Sequence, residues 1–292
     1  MRQIFLICLA IVVFPFTVST AAGELRLAVY PMTDPQKLLP PMRILAEYLS
    51  ERTGETITPI ITRDYHEMVL RLEDRSVDIA WLNPINYLKL KERLPGLRYI
   101  ATYMEFNKDA GEVIPYYHSY IITLKENAIT ELSQAQDKRM GFTDPGSTSG
   151  YAYPAMMLRN LDIEPETYFR NVFFLKRHDR VIEALVAGSI DLGAVSDGTF
   201  HSAVQTHGDI FRILLKSDPI PLDAIVSPDH ITPERSAMYR EALAAMPLDH
   251  PFNTVMQEML GWPAAGFSVL DDSLYDGFRE ALRSPTPQAD PE

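Results

Sequence analysis

Cysteine is almost absent from this 292-residue chain: the one present, Cys8, falls in a segment expected to be removed. Without it no thiol remains, which excludes disulfides, a thiol nucleophile and cysteine-ligated metal. Positive charge is scarce as well. Leaving out Arg2, 26 Lys and Arg stand against 39 Asp and Glu, a net charge of −13. A surface of that sign argues against nucleic acid and anionic membranes as partners. Beyond the N-terminal segment, no apolar run approaches the ~20 residues that would span a bilayer. Internal repeats and low-complexity stretches are missing. Neither a metal-ligand cluster nor a Ser-His-Asp ordering stands out, so neither cofactor nor metal is expected, and the chain does not read as an enzyme.

What is present begins with an export signal over residues 1–22. Arg2 supplies the positive start, residues 4–16 form an apolar run of secretory length, and Val18-Ser19-Thr20-Ala21-Ala22 offers small residues for cleavage. Roughly 270 residues remain, enough for two compact lobes. Hydrophobic residues at 46% and charged residues at 23% are globular values. The tail over residues 285–292, rich in proline, reads as disordered.

Strands and helices alternate along the chain. Residues 25–30 read as a strand, 40–52 as a helix stopped by Thr53-Gly54, and 57–62 as a second strand. Asp64 and Glu67 have capping-box spacing for a helix over 65–74. Residues 77–82 form a near-continuous apolar strand, and 99–104 another. The pattern restarts at 119–123 and runs through strands at 138–143, 172–175, 190–195 and 211–215. Helices are expected at 155–159, 180–187, 233–245, 252–260 and 273–282. This alternation gives an α/β fold with mostly parallel sheets flanked by helices, in two lobes joined near 116–119 and 217–224.

The most informative segment is Asp144-Pro145-Gly146-Ser147-Thr148-Ser149-Gly150, between a short strand and a helix. Unpaired backbone N–H groups, hydroxyl donors and the positive end of the helix dipole are the parts of an anion site. No Lys or Arg lies between Asp144 and Leu158, so the Walker ending is absent. Taken alone, the segment reads first as an ordinary Ser/Thr N-cap.

Together with Val77-Asp78-Ile79-Ala80-Trp81, Tyr117-His118-Ser119, His178, Gly188-Ser189-Ile190-Asp191 and Ile220-Pro221-Leu222-Asp223, this turn makes the chain resemble the phosphate/phosphite/phosphonate-binding proteins of ABC importers over about residues 24–265. The resemblance implies a type II-like periplasmic binding protein with a two-segment hinge. Lobe 1 would be 23–116 and 224–284, and lobe 2 would be 117–223. It further implies a monomer that captures a phosphorus oxyanion and hands it to an inner-membrane permease, or signals to a membrane histidine kinase. By the same resemblance Ser147, Thr148 and Ser149 hold the oxyanion. Tyr65 and Tyr117 add hydroxyls, His178 donates, and Asp223 contacts an amine or an acidic proton. A glutamate used by aminophosphonate binders aligns with Gly198, where Asp197 is its nearest substitute. That departure favours a simple oxyanion or small alkylphosphonate over an aminophosphonate. Asn83, at a strand end, joins the candidates. Each candidate has a plainer role open to it: Tyr65 in the core, Tyr117 in hinge packing, His178 and Asn83 as caps, and Asp223 in the turn after Pro221.

Overall fold

The computed structural model describes residues 24–108 and 110–283; the expected signal and the tail lie outside the described residues. In chain order the first elements are β1 (Leu25–Val29), α1 (Pro35–Thr53), β2 (Ile57–Ile61), α2 (Tyr65–Glu73), β3 (Ile79–Leu82), α3 (Pro84–Arg93) and β4 (Arg98–Asn107). Next come β5 (Glu112–Ile114), β6 (Tyr116–Tyr117), β7 (Ser119–Leu124), β8 (Arg139–Phe142), α4 (Tyr153–Arg159), α5 (Pro165–Tyr168) and β9 (Asn171–Phe174). The chain continues through α6 (His178–Val186), β10 (Leu192–Ser196), α7 (Asp197–His207), β11 (Phe211–Lys216), β12 (Ile220–Pro221) and β13 (Ala224–Ser227). It closes with α8 (Pro233–Ala244), α9 (Pro251–Leu260), β14 (Ala264–Ser268) and α10 (Asp276–Arg283).

Local chemistry explains the boundaries. Helix α1 starts five residues before the expected position 40, because Asp34 accepts the Gln36 N–H at 3.0 Å and Pro35 takes the first helical position, where its missing N–H costs nothing. It stops at Gly54, whose φ of +72° ends the helix in the left-handed region. At α2, Asp64 accepts the Glu67 N–H at 2.8 Å. Glu67 reaches back to the Arg63 N–H at 2.7 Å, one residue short of a reciprocal box.

Seven strands form one sheet in the order β14-β4-β13-β3-β1-β2, with β5 on β4. Five form another, β11-β7-β10-β8-β9, and β6 pairs with β12 in a separate two-stranded ribbon. The expectation of mostly parallel sheets is corrected here. The trios β2-β1-β3 and β9-β8-β10 are parallel, as crossover helices require. Strands β13 and β7 follow directly on the ribbon strands, without a crossover helix, and they run antiparallel to their neighbours, as do β4, β5, β11 and β14. The smaller sheet is covered on both faces. Along β7, Tyr120, Ile122 and Leu124 pack with Val181 and Leu185 of α6, while Ile121 packs on the opposite side with Leu158 of α4. The carboxyl ends of the parallel strands in the two sheets face a common cleft, the usual place for a ligand in open α/β sheets.

Candidate ligand-binding site

The cleft encloses a cavity of about 60 Å³. A water needs roughly 10–15 Å³ of such space, so the cavity holds a group of about four to six heavy atoms. Tyr65, Asn83, Tyr117, Ser147, Thr148, Ser149, His178, Asp197 and Asp223 all line it. They arrive from both sheets and the ribbon. Tyr30, Met32, Trp81, Tyr103, Glu105, Ser196, Gly198, Leu222 and Trp262 complete the wall, with no Lys or Arg among the lining residues.

The turn after β8 leads into a helix that opens with a π-helical turn over Thr148–Ala152. Ser147 caps it, its hydroxyl oxygen accepting the Gly150 N–H at 3.1 Å. Gly146 N–H donates to Asp144 at 2.8 Å, so the loop is internally braced. The first N–H groups of the helix, those of Thr148 and Ser149, have no partner within it and sit at its positive end. Position 150 must be glycine: a Cβ there would lie 2.0 Å from the Thr143 hydroxyl oxygen.

The start of α3, on the side of the larger sheet, grips this turn from across the cleft. Asn83 and Asn86 both donate to the Gly146 carbonyl, at 2.8 and 3.0 Å, and the Thr148 hydroxyl oxygen accepts the Ile85 N–H at 3.1 Å. Gly146 packs so closely on Tyr65 that a Cβ would fall 2.6 Å from the tyrosine Cβ. Asn83 is therefore a cap, accepting the Asn86 N–H at 3.0 Å, and an inter-lobe contact at once.

His178, at the start of α6, is buried, and its Nδ1 accepts the Ser196 N–H at 3.2 Å. That bond leaves the proton on Nε2, free to donate into the cavity. Burial lowers its pKa to about 4, so the ring stays neutral. The hydroxyls of Tyr30, Tyr65 and Tyr117 are all pushed up in pKa, first by burial, and remain protonated donors. Tyr30 stacks on Tyr65 with centroids 4.6 Å apart.

Asp223 sits at the junction of ribbon and large sheet. One carboxylate oxygen accepts both the Tyr30 hydroxyl and the Trp81 indole N–H, the latter at 2.8 Å. Burial pushes its pKa up to about 7, with those two bonds acting the other way. Asp197 is raised too, by burial, and its oxygens accept the backbone N–H groups of His118 at 2.9 Å and Gly198 at 2.8 Å. Glu105 is raised to about 8, by burial and then by the charges of Asp197 and Asp223. The sequence reading missed Glu105, Tyr103, Tyr30, Trp81 and Trp262 as wall residues. A signal existed for the first pair: Ala101, Tyr103 and Glu105 share one face of a strand by period two, and a carboxylate among them is out of place.

No helix among the described residues is long and apolar enough to cross a membrane, and no cluster of His, Cys, Asp and Glu among them suits a metal. A solved relative, PhnD1 from Prochlorococcus marinus in complex with methylphosphonate, superposes with a TM-score of 0.77 at 15% identity, covering 89% of this chain and 97% of that one. A binding protein component of an ABC phosphonate transporter from Pseudomonas aeruginosa gives 0.76 at 19% identity, over 89% and 85%. These likenesses establish the two-lobed fold. In sequence, the phosphate-import protein PhnD of Mycolicibacterium smegmatis is 25% identical over 230 residues, 74% of this chain and 70% of that protein. The family described as the periplasmic substrate-binding protein of the phosphonate ABC transporter matches residues 27–280. Nearly the whole described chain is thus accounted for, and the protein belongs to that family of substrate-binding proteins.

Proposed function

We propose that this protein is exported to the periplasm, captures a phosphorus oxyanion (phosphite, phosphate or a phosphonate) between its lobes, and presents the closed form to an inner-membrane ABC permease without chemical turnover. Lobe 1 comprises residues 23–116 and 224–284 and lobe 2 residues 117–223, with the β6–β12 ribbon as the crossover. The observation that carries the reading is the braced Ser147-Thr148-Ser149 turn. It presents hydroxyls and first-turn N–H groups to a cavity of about 60 Å³, faced from elsewhere by the neutral His178 and the hydroxyls of Tyr65 and Tyr117. Such donors hold an oxyanion by charge-assisted hydrogen bonds, each contributing about 1.5–3 kcal/mol. No basic side chain takes part. Calorimetric titration of the monomer with phosphite, phosphate, methylphosphonate and sulfate tests this. Binding of at least one phosphorus oxyanion far more tightly than sulfate is expected, with no product released on prolonged incubation. Equal, weak responses to all four would overturn it.

A further inference from the structure

An acidic chain that captures an anion works against its own field: 39 Asp and Glu stand against 27 Lys and Arg, and no basic residue lines the cradle. A second, larger cavity of about 540 Å³ lies beside the first, and Tyr65 lines both. Its other walls are the loops at the carboxyl ends of β1, β2, β8 and β9, with the first turns of α6. Strand β2 is the edge of the larger sheet and β9 the edge of the smaller one. Each lies three strands from the strand that follows the ribbon, β13 in one sheet and β7 in the other. This cavity is therefore the end of the cleft farthest from the crossover, where a cleft hinged at the ribbon opens.

Four basic side chains line that mouth, Arg63 from the side of the larger sheet and Lys176, Arg177 and Arg180 from the smaller. Three acids stand beside them. Asp64 and Asp144 each accept a backbone N–H at 2.8 Å, and Glu183 pairs with Arg180 at 2.6 Å. Arg177 is committed to Asp179 through two bonds of 3.0 Å, and Arg63 pairs with Glu67. Lys176 differs: it is exposed, and among the described residues no carboxylate lies within ion-pair distance of it. Its backbone is fixed, the N–H donating to the Thr143 carbonyl at 2.7 Å. Its φ of +73° suits glycine or asparagine better than lysine, so a cation stands where the backbone does not favour one. We propose that Lys176 is the first contact of the incoming oxyanion, raising the local anion concentration at the cleft mouth and speeding association, while taking no part in holding the bound ligand. This rests on the cradle reading above. Neutral donors hold the anion inside, and the exposed cation steers it in. Because the paired carboxylates cancel part of the field, the effect expected lies below the ~10–10³-fold that fully one-signed clefts give.

The test is stopped-flow association of phosphite, phosphate and methylphosphonate, followed by the fluorescence of Trp81 and Trp262 in the cavity wall. The wild type is compared with Lys176→Gln, Lys176→Glu and a control, Lys125→Glu. Lys125 follows β7, which runs antiparallel to β10, so it stands at the end of the smaller sheet away from the cleft. At low salt Lys176→Glu is expected to associate about threefold or more slowly than the wild type, with Lys176→Gln between them and Lys125→Glu unchanged. Dissociation rates should be the same in all four. The differences should close at about 0.5 M salt, where mobile ions screen such charges within a few ångströms. A smaller effect of Lys176→Glu, an equal slowing by Lys125→Glu, or a loss carried by the dissociation rate overturns this proposal and leaves the cradle standing. Failure of the wild type to bind any of the three oxyanions overturns the cradle and this proposal together.

Discussion

At Asp223 one carboxylate oxygen serves two buried donors, the Tyr30 hydroxyl and the Trp81 indole, so charge and hydrogen bonding at this residue can be separated by substitution. Asp223→Asn keeps an acceptor for both, whereas Asp223→Ala orphans them at about 1–3 kcal/mol each. Urea denaturation should therefore show a large loss of stability for the alanine variant and a small one for asparagine. The pH dependence follows from the same burial. The folded state holds the Asp223 proton up to about pH 7, while the unfolded chain loses it near 4. Its contribution is full below about pH 4 and disappears as pH rises through 7. His178 runs in the opposite sense, because its folded pKa of about 4 lies below the ordinary value of 6.5. Its contribution is full above about pH 6.5 and is lost as pH falls toward 4, about 3 kcal/mol in all. Urea midpoints measured from pH 4 to 8 should rise more gently with pH in His178→Gln than in the wild type up to about 6.5. They should fall less in Asp223→Asn between pH 5 and 7.5. Identical profiles in variant and wild type would refute the assigned burial of these groups.

Two glycines of the turn after β8 separate the roles of this element. Gly146 faces Tyr65 of the opposite lobe, and a Cβ there would lie 2.6 and 2.9 Å from that side chain. Gly150 faces Thr143 within its own lobe. Gly146→Ala should therefore hinder closure, weakening the ligand at least tenfold with little change in the ligand-free melting temperature. Gly150→Ala should lower that temperature by several degrees. Calorimetry and thermal melts on the two variants decide it, and equal melting temperatures would contradict the assignment. The turn was legible in the sequence because its chemistry is local: a cap, hydroxyls and glycines within seven residues. Helix α7 was not, since only Ala203 of its length is fully buried and no apolar stripe marks it. Strand β14, Ala-Ala-Gly-Phe-Ser, lacks β-branched residues and bends at Gly266 with φ +76°. The antiparallel strands were misread as parallel because strand direction depends on where the chain re-enters a sheet, which no local pattern records.

At the scale of the whole molecule, the oxyanion turn belongs to one lobe, yet Asn83, Asn86 and Ile85 of the other lobe already hydrogen-bond to it. If this turn holds the ligand as proposed, capture and closure are one event, because the same loop is hydrogen-bonded from the opposite side of the cleft. The chain order of the motifs indicated a two-lobed receptor, but the double grip on the Gly146 carbonyl needed coordinates. Ser147 caps the helix and Thr148 accepts a bond from lobe 1, so Ser149→Ala is the substitution that perturbs the scaffold least. The central claim, that this turn holds a phosphorus oxyanion, is tested most directly by calorimetric affinity for the best phosphorus ligand in the wild type, Ser149→Ala and the variant with Ser147, Thr148 and Ser149 all replaced by alanine. The account predicts a loss of about tenfold or more for the single variant, and beyond a hundredfold for the triple, in molecules that still melt cooperatively. Affinity within a few-fold of the wild type in the triple variant would contradict it.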